Sequence, residues 1–197
     1  LRYYGDGIKR DVKNYSPRRI GVANIVGTGK YPKAILTPIT SDVDLSAWGV
    51  SVYCQNSKGN IAVALYDDNS TTGNLIWKSK KQKCSIGENT FFSDVLIHEI
   101  KKGATVWVAI ICDNDKTIFH QSDSKSSWFK LENIKPKSSS IELPWSELLI
   151  PDKKDVQFPD ALGNTQPHSG NPIRVEITGK RRDLNNKPPV TLSSETL

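Results

Sequence analysis

Apolar residues fall in short runs along most of this chain, each closed by Gly, Asn, Asp or Lys. Gly59-Asn60-Ile61-Ala62-Val63-Ala64-Leu65-Tyr66 is one, Leu75-Ile76-Trp77 another, and Val106-Trp107-Val108-Ala109-Ile110-Ile111-Cys112 the strongest. Their shortness and their β-branched and aromatic content predict strands rather than helices. Elsewhere the period is two. Leu45 to Cys54 sets Trp48, Val50, Val52 and Cys54 on one face, where Trp48 reads as core, and Ser51, Tyr53 and Gln55 on the other. Thr90 to Ile100 alternates imperfectly as a single strand, and Ile173, Val175 and Ile177 alternate cleanly. Ile20 to Val26 is the first strand, followed by the flexible Gly27-Thr28-Gly29-Lys30. Tyr31 to Thr40, broken by Pro32 and Pro38, reads as a sheet edge or a strand entry. Asp67 to Asn74 makes a long-looped hairpin, and Thr117 to Gln121 with Ser127 to Leu131 a second hairpin. With turns every 8 to 12 residues or so and no convincing amphipathic helix, the expected fold is all-β. It is an antiparallel two-sheet β-sandwich, jelly-roll-like, with an extended N-terminal arm and a Pro-rich C-terminal extension.

A chain of 197 residues suits one such domain. Its expected parts are a basic arm over 1–19, the sandwich over 20–178 with a Pro-rich extension from 135, and a tail over 179–197. Prolines at 136, 144, 151, 159, 167 and 172 make that extension read as mostly extended connection. No apolar run approaches the ~20 residues that span a bilayer. The chain starts at Leu1 and contains no Met, as either a cleaved signal peptide or an excised fragment would.

Charge changes the picture at one end. Residues 1–33 carry eight Lys and Arg against Asp6 and Asp11, which accounts for the whole net charge of +6. Such an arm suits phosphate, an anionic polysaccharide, an acidic neighbour or plain solvation. No nucleic-acid-binding motif accompanies it.

Candidate chemistry is sparse. Cys54 and Cys112 each end a strand in phase with its apolar face, so they read either as small buried hydrophobes or as a disulfide. Cys84 lies in the polar stretch from Lys80 to Gly87 and reads as unpaired and dispensable. Asp67, Asn69, Asp113 and Asp115 offer hard oxygen ligands for calcium if their loops meet. Neither Asp67/Asp68 nor Asp113/Asp115 reads as a glycosidase pair, which must face each other across a cleft. Glycan binding needs exposed rings to stack on sugar faces. Trp128 and Trp145, flanked by polar residues, and Tyr31 and Tyr66, at loop mouths, are the candidates.

The pattern Gly59-Asn60-x-Ala-Val-Ala-Leu-Tyr66-Asp67-Asp68, then Gly73-Asn74-Leu75-Ile76, then Lys102-Gly103-x-x-Val-Trp107-Val-Ala resembles a jelly-roll module of secreted polysaccharide-acting proteins and of phage tail or fibre proteins. The resemblance covers roughly residues 40–115. It implies a module that binds glycans or neighbouring subunits and seldom catalyses. The expected function is therefore a non-catalytic, extracellular or secreted carbohydrate-binding or adhesive module. The alternatives are a structural subunit of a virion or surface assembly, bound to copies of itself through its arms, and a glycan-degrading enzyme.

Overall fold

The computed structural model describes residues 2–3, 9–10, 17–67, 73–134, 143–148, 156–162, 165–181 and 191–192. The sandwich strands are, in chain order, β1 (Pro17–Ile20), β2 (Ile25–Gly29), β3 (Ala34–Thr40), β4 (Leu45–Cys54), β5 (Asn60–Asp67), β6 (Leu75–Lys78) and β7 (Gln82–Lys83). Then follow β8 (Gly87–Phe92), β9 (His98–Ile100), β10 (Thr105–Cys112), β11 (Phe119–Ser122), β12 (Trp128–Leu131), β13 (Thr165–His168) and β14 (Val175–Arg181). They form two antiparallel sheets packed on each other, a β-sandwich. Sheet one runs β1-β14-β4-β11-β2, with β8 and β9 on the other edge of β4. Sheet two runs β13-β12-β3-β10-β5-β6, with β7 also on β5.

The inner faces meet where alternation requires. Val50 and Val52 from sheet one pack with Leu65, Val106, Val108 and Ile110 from sheet two, all buried in one cluster. A one-residue slip of any of these strands would turn its apolar set to water, so burial pins the register.

Several local expectations are corrected. β11 and β12 do not form a hairpin: the chain crosses from sheet one to sheet two between them. β3 is internal rather than an edge, flanked by β10 and β12. β12 reaches only Ile35 and Leu36, so Pro38 lies in the half of β3 whose second edge has no strand, where its missing N–H costs no ladder bond. Pro17–Arg19 and Gly179–Arg181 belong to strands of sheet one rather than to the arms. Of the arms themselves, Arg2–Tyr3 and Thr191–Leu192 both pair with Lys9–Arg10, so the two ends of the chain meet each other.

β4 carries the main irregularity. Leu45 and Ala47 point inward, but so do Val50, Val52 and Cys54, and the phase changes between them. The register shows how: Thr178 faces Gly49 and Gly179 faces Ala47, leaving Trp48 as an extra, bulged residue. The opposite edge of β4 answers by splitting the single expected strand into two. β8 ends with Phe92 opposite Gly49, and β9 begins with His98 opposite Ala47. The bulge also explains two glycines. A Cβ at 179 would collide with the carbonyl of Ser46, and one at 49 would sit 3.1 Å from the Phe92 ring.

The Pro-rich extension is a third layer, not merely connection. Trp145, Leu148, Val156, Phe158 and Leu162 are buried against Ala34, Leu36, Ala62, Ala64, Tyr66, Ala109 and Ile111 on the outer face of sheet two. This is why β5 and β10 read as continuous apolar runs: strands covered on both faces lose alternation. The layer is anchored by polar contacts as well. The Tyr66 hydroxyl donates to the Pro159 carbonyl at 2.7 Å, and Lys78 Nζ donates to the Val156 carbonyl at 3.2 Å.

The cysteine reading also changes. All three thiols are free, and all three are buried in the inter-sheet core. Cys112 is engaged by Thr117 Oγ1 at 3.0 Å instead of bridging to Cys54. Cys84 is not in a solvated turn: its N–H donates to the Gly59 carbonyl at 2.9 Å, its thiol to the Asn56 carbonyl at 3.4 Å. A hydrogen bond shared with Cys84, together with burial, pushes the Cys54 thiol far above its ordinary value. Cys84→Ser, expected from sequence to be neutral, should therefore cost about 1–3 kcal/mol in urea unfolding, the price of burying a more polar group in the same space. An unchanged midpoint would return Cys84 to the surface.

Candidate binding face

Of the four aromatic candidates from sequence, three are buried and Tyr31 is half-buried. Trp145 is 0% exposed and Trp128 8%, and Tyr66 is fully buried under the third layer. Trp128 stacks on His168 at 4.4 Å, and half-buried Tyr31 meets Trp128 edge-on at 5.2 Å while its hydroxyl donates to the Asn171 carbonyl. Polar flanks misled the reading of Trp128, because in the two-residue period of a strand the neighbours of a buried residue point the other way.

The calcium reading fails on geometry for the residues described. β10 faces β5 with Val106 opposite Asp67 and Cys112 opposite Ile61, so Asp67 and Asp113 lie at opposite ends of the strand pair, roughly 20 Å apart at about 3.3 Å per residue. Asp113 is also occupied: its oxygens accept the Asn60 N–H and side-chain amide, both at 2.9 Å, and the Asn114 amide at 2.8 Å. Burial works to raise its pKa, and these bonds together hold it below the usual carboxylate range. Asp67 accepts the Asn74 N–H at 2.7 Å. Asp115 is exposed, and Asn69 lies outside the described residues. Among the described residues no cluster of three or more His, Cys, Asp or Glu could hold a metal ion.

A different surface gathers the functional groups. The outer face of sheet one, opposite the third layer, is polar and aromatic. The bulge turns Trp48 onto it, with Lys180 Nζ 5.6 Å from the ring centroid. Phe92, lying over Gly49, is 73% exposed. The register aligns Phe92, Gly49, Thr178 and Arg19 in one row across β8, β4, β14 and β1. At about 4.8 Å per strand, the row measures about 14 Å from Phe92 to Arg19.

Beside this row stands a fixed ionic array. Glu176, 2% exposed, receives Arg174 Nη2 on one oxygen at 2.7 Å and Arg19 Nη1 on the other at 2.8 Å. The Tyr53 hydroxyl donates to the second oxygen at 2.9 Å and accepts from Arg19, while Arg174 lies 4.2 Å above the Tyr53 ring. Arg19 also contacts Glu88 at 2.6 Å, and Glu88 accepts from Ser51 at 2.8 Å. Burial acts to raise the Glu88 carboxyl, but the bonds from Ser51 and Arg19 outweigh it and keep it below its ordinary value. Hydrogen bonding to Glu176 raises the Arg19 guanidinium in turn. Further along, Ser46 donates to Glu99 at 2.9 Å.

These groups are preorganised, as a binding surface requires. They are poorly placed for glycoside hydrolysis, because Arg19 sits between Glu88 and Glu176, and Glu176 is too buried to meet a substrate. Sequence reasoning missed Trp48 and Phe92. One signal was available: the apolar phase of β4 counted forward from Leu45 and backward from Cys54 disagrees at Trp48-Gly49. No family model matches this chain, and no curated protein matches it.

Proposed function

We propose that this protein is a non-catalytic carbohydrate-binding module that holds a glycan on the outer face of sheet one. The observation that carries the reading is the exposed Phe92 and half-buried Trp48 set beside the Arg19, Glu88 and Glu176 array. Aromatic rings accept the apolar face of a sugar, and fixed donors and acceptors at their side meet its hydroxyls. The covered face of sheet two offers neither. An extracellular location agrees with this role and is part of the proposal.

Trp48→Ala and Phe92→Ala should each lower glycan affinity roughly tenfold, the equivalent of about 1.4 kcal/mol. Thermal stability should shift little, because Phe92 is exposed and Trp48 lies outside both core clusters. A screen on neutral plant, fungal and bacterial polysaccharides, followed by calorimetry, checks this. Retained binding in both variants, or no binding by the parent protein, sinks the proposal. A second reading, a subunit of an assembly, is favoured by the exposed apolar loop at Val95 and Leu96 next to Phe92. A solution mass above one chain would support it, and a monomer would set it aside.

A further inference from the structure

Beyond Arg19, the row of Phe92, Gly49 and Thr178 leads off the face into the gap between the sheets. Two hollows lie there, of about 650 Å³ and 630 Å³. Both are lined by Gly21, Val22 and Thr40, so they form one groove. Its origin is the short pairing of β12, which leaves Thr37–Thr40 of β3 without a second neighbour and facing Pro172–Val175 of the other sheet. Arg19 and Arg174 belong to both places: each lines the groove and each binds Glu176 on the face.

The chemistry of the groove narrows its ligand. Its cations are already compensated: Arg18 by Asp42 at 2.7 Å, Arg19 by Glu88 and Glu176, and Arg174 by Glu176. Asp123 is likewise satisfied, accepting the N–H and the side-chain amide of Asn24, both at 3.0 Å. The other polar lining is hydroxyl, from Thr37, Thr40, Ser122, Ser124 and Ser126. Such walls match a polyol and give a polyanion no unpaired charge to meet. A peptide added along β3 would find Pro38, which has no N–H to donate.

We propose that the groove continues the binding face, and that the site takes an internal stretch of a neutral, unbranched polysaccharide crossing the strands from Phe92 past Arg19. This rests on the glycan reading above and adds the ligand's length and charge. The test is calorimetry with cello-, xylo- and β-1,3-gluco-oligosaccharides, as disaccharides and hexasaccharides, and with heparin as the polyanion, at low and high salt. The parent protein should bind one hexasaccharide at least tenfold tighter than its disaccharide, with little dependence on salt. Val22→Trp, at a position 63% exposed and so tolerant of the ring, should fill the groove and erase that gain while leaving the disaccharide affinity unchanged. Ser126→Trp, from the opposite wall, should do the same, with circular dichroism confirming both folds. Equal affinity for the two lengths, or a full gain retained in both variants, overturns the groove while leaving the face intact. Tight heparin binding that weakens steeply with salt overturns the neutral ligand. Binding indifferent to Trp48→Ala, or none of any probe, overturns the glycan reading beneath.

Discussion

Trp145→Ala should be among the most damaging single substitutions in the described part of the chain, costing about 3–5 kcal/mol in urea unfolding. The ring is fully buried and meets Tyr66 and Phe158 edge-on, at 6.2 and 6.3 Å. Removing it opens a cavity between the third layer and sheet two. Among the described residues its backbone links are the pairing of Leu143–Pro144 with Asn133–Ile134, the Trp145 N–H to the Glu132 carbonyl, the Leu75 N–H to the Asp160 carbonyl and the Asn74–Ala161 bridge. Loss of the ring should therefore loosen Val156–Leu162 before the sandwich melts, which limited proteolysis would detect. Among the described residues the indole N–H has no hydrogen-bond partner, so Trp145→Phe should cost far less than the alanine. Near-neutral behaviour of Trp145→Ala would mean that the extension is not a packed layer.

Glu176→Ala should cost a similar amount, about 3–5 kcal/mol, for an electrostatic reason. The carboxylate is buried, and its removal strands Arg174, whose side chain is only 15% exposed, without its ion-pair partner. Arg19 is 38% exposed and retains Glu88, so water and that pair soften its loss. Glu176→Gln keeps the shape and part of the hydrogen bonding, and should fall between the parent and the alanine. The deficit should be similar in low and high salt, because buried pairs are weakly screened. A loss below about 1 kcal/mol, or one that vanishes in high salt, would reduce the array to a surface feature of little energetic weight.

Two kinds of residue account for what the sequence made legible. Val63, Leu65, Val106, Val108 and Ile110 lie in strands whose composition alone calls for burial, and all are inside. Ile173, Val175 and Ile177 keep a strict two-residue period, and their buried face was readable to the residue. In both cases one local quantity, apolar area that must leave water, decides the outcome.

Trp48 shows where that local reasoning stops. Alternation assumes that no residue is inserted, and a bulge reverses the phase with only the mismatch between the two ends of the strand, at Trp48-Gly49, to announce it. Trp145 and Tyr66 show a second limit: a strand's outer face is exposed or buried according to what lands on it, and here a segment some eighty residues downstream of β5 does so. Cys84 shows a third, since a polar neighbourhood in sequence says nothing about which carbonyls and thiols the fold brings to the side chain.

By itself, then, the sequence determined the central strands, most of their inward residues and hence the sandwich, because short-range periodicity and hydrophobic burial suffice for these. Only the tertiary structure decided which sheet face is covered, which aromatic rings meet solvent, and that Arg19, Arg174 and Glu176 converge. Those outcomes depend on contacts between residues far apart in the chain, such as Tyr66 with Pro159, 93 positions on, and Arg19 with Glu176, 157 positions on, and no local pattern encodes such contacts.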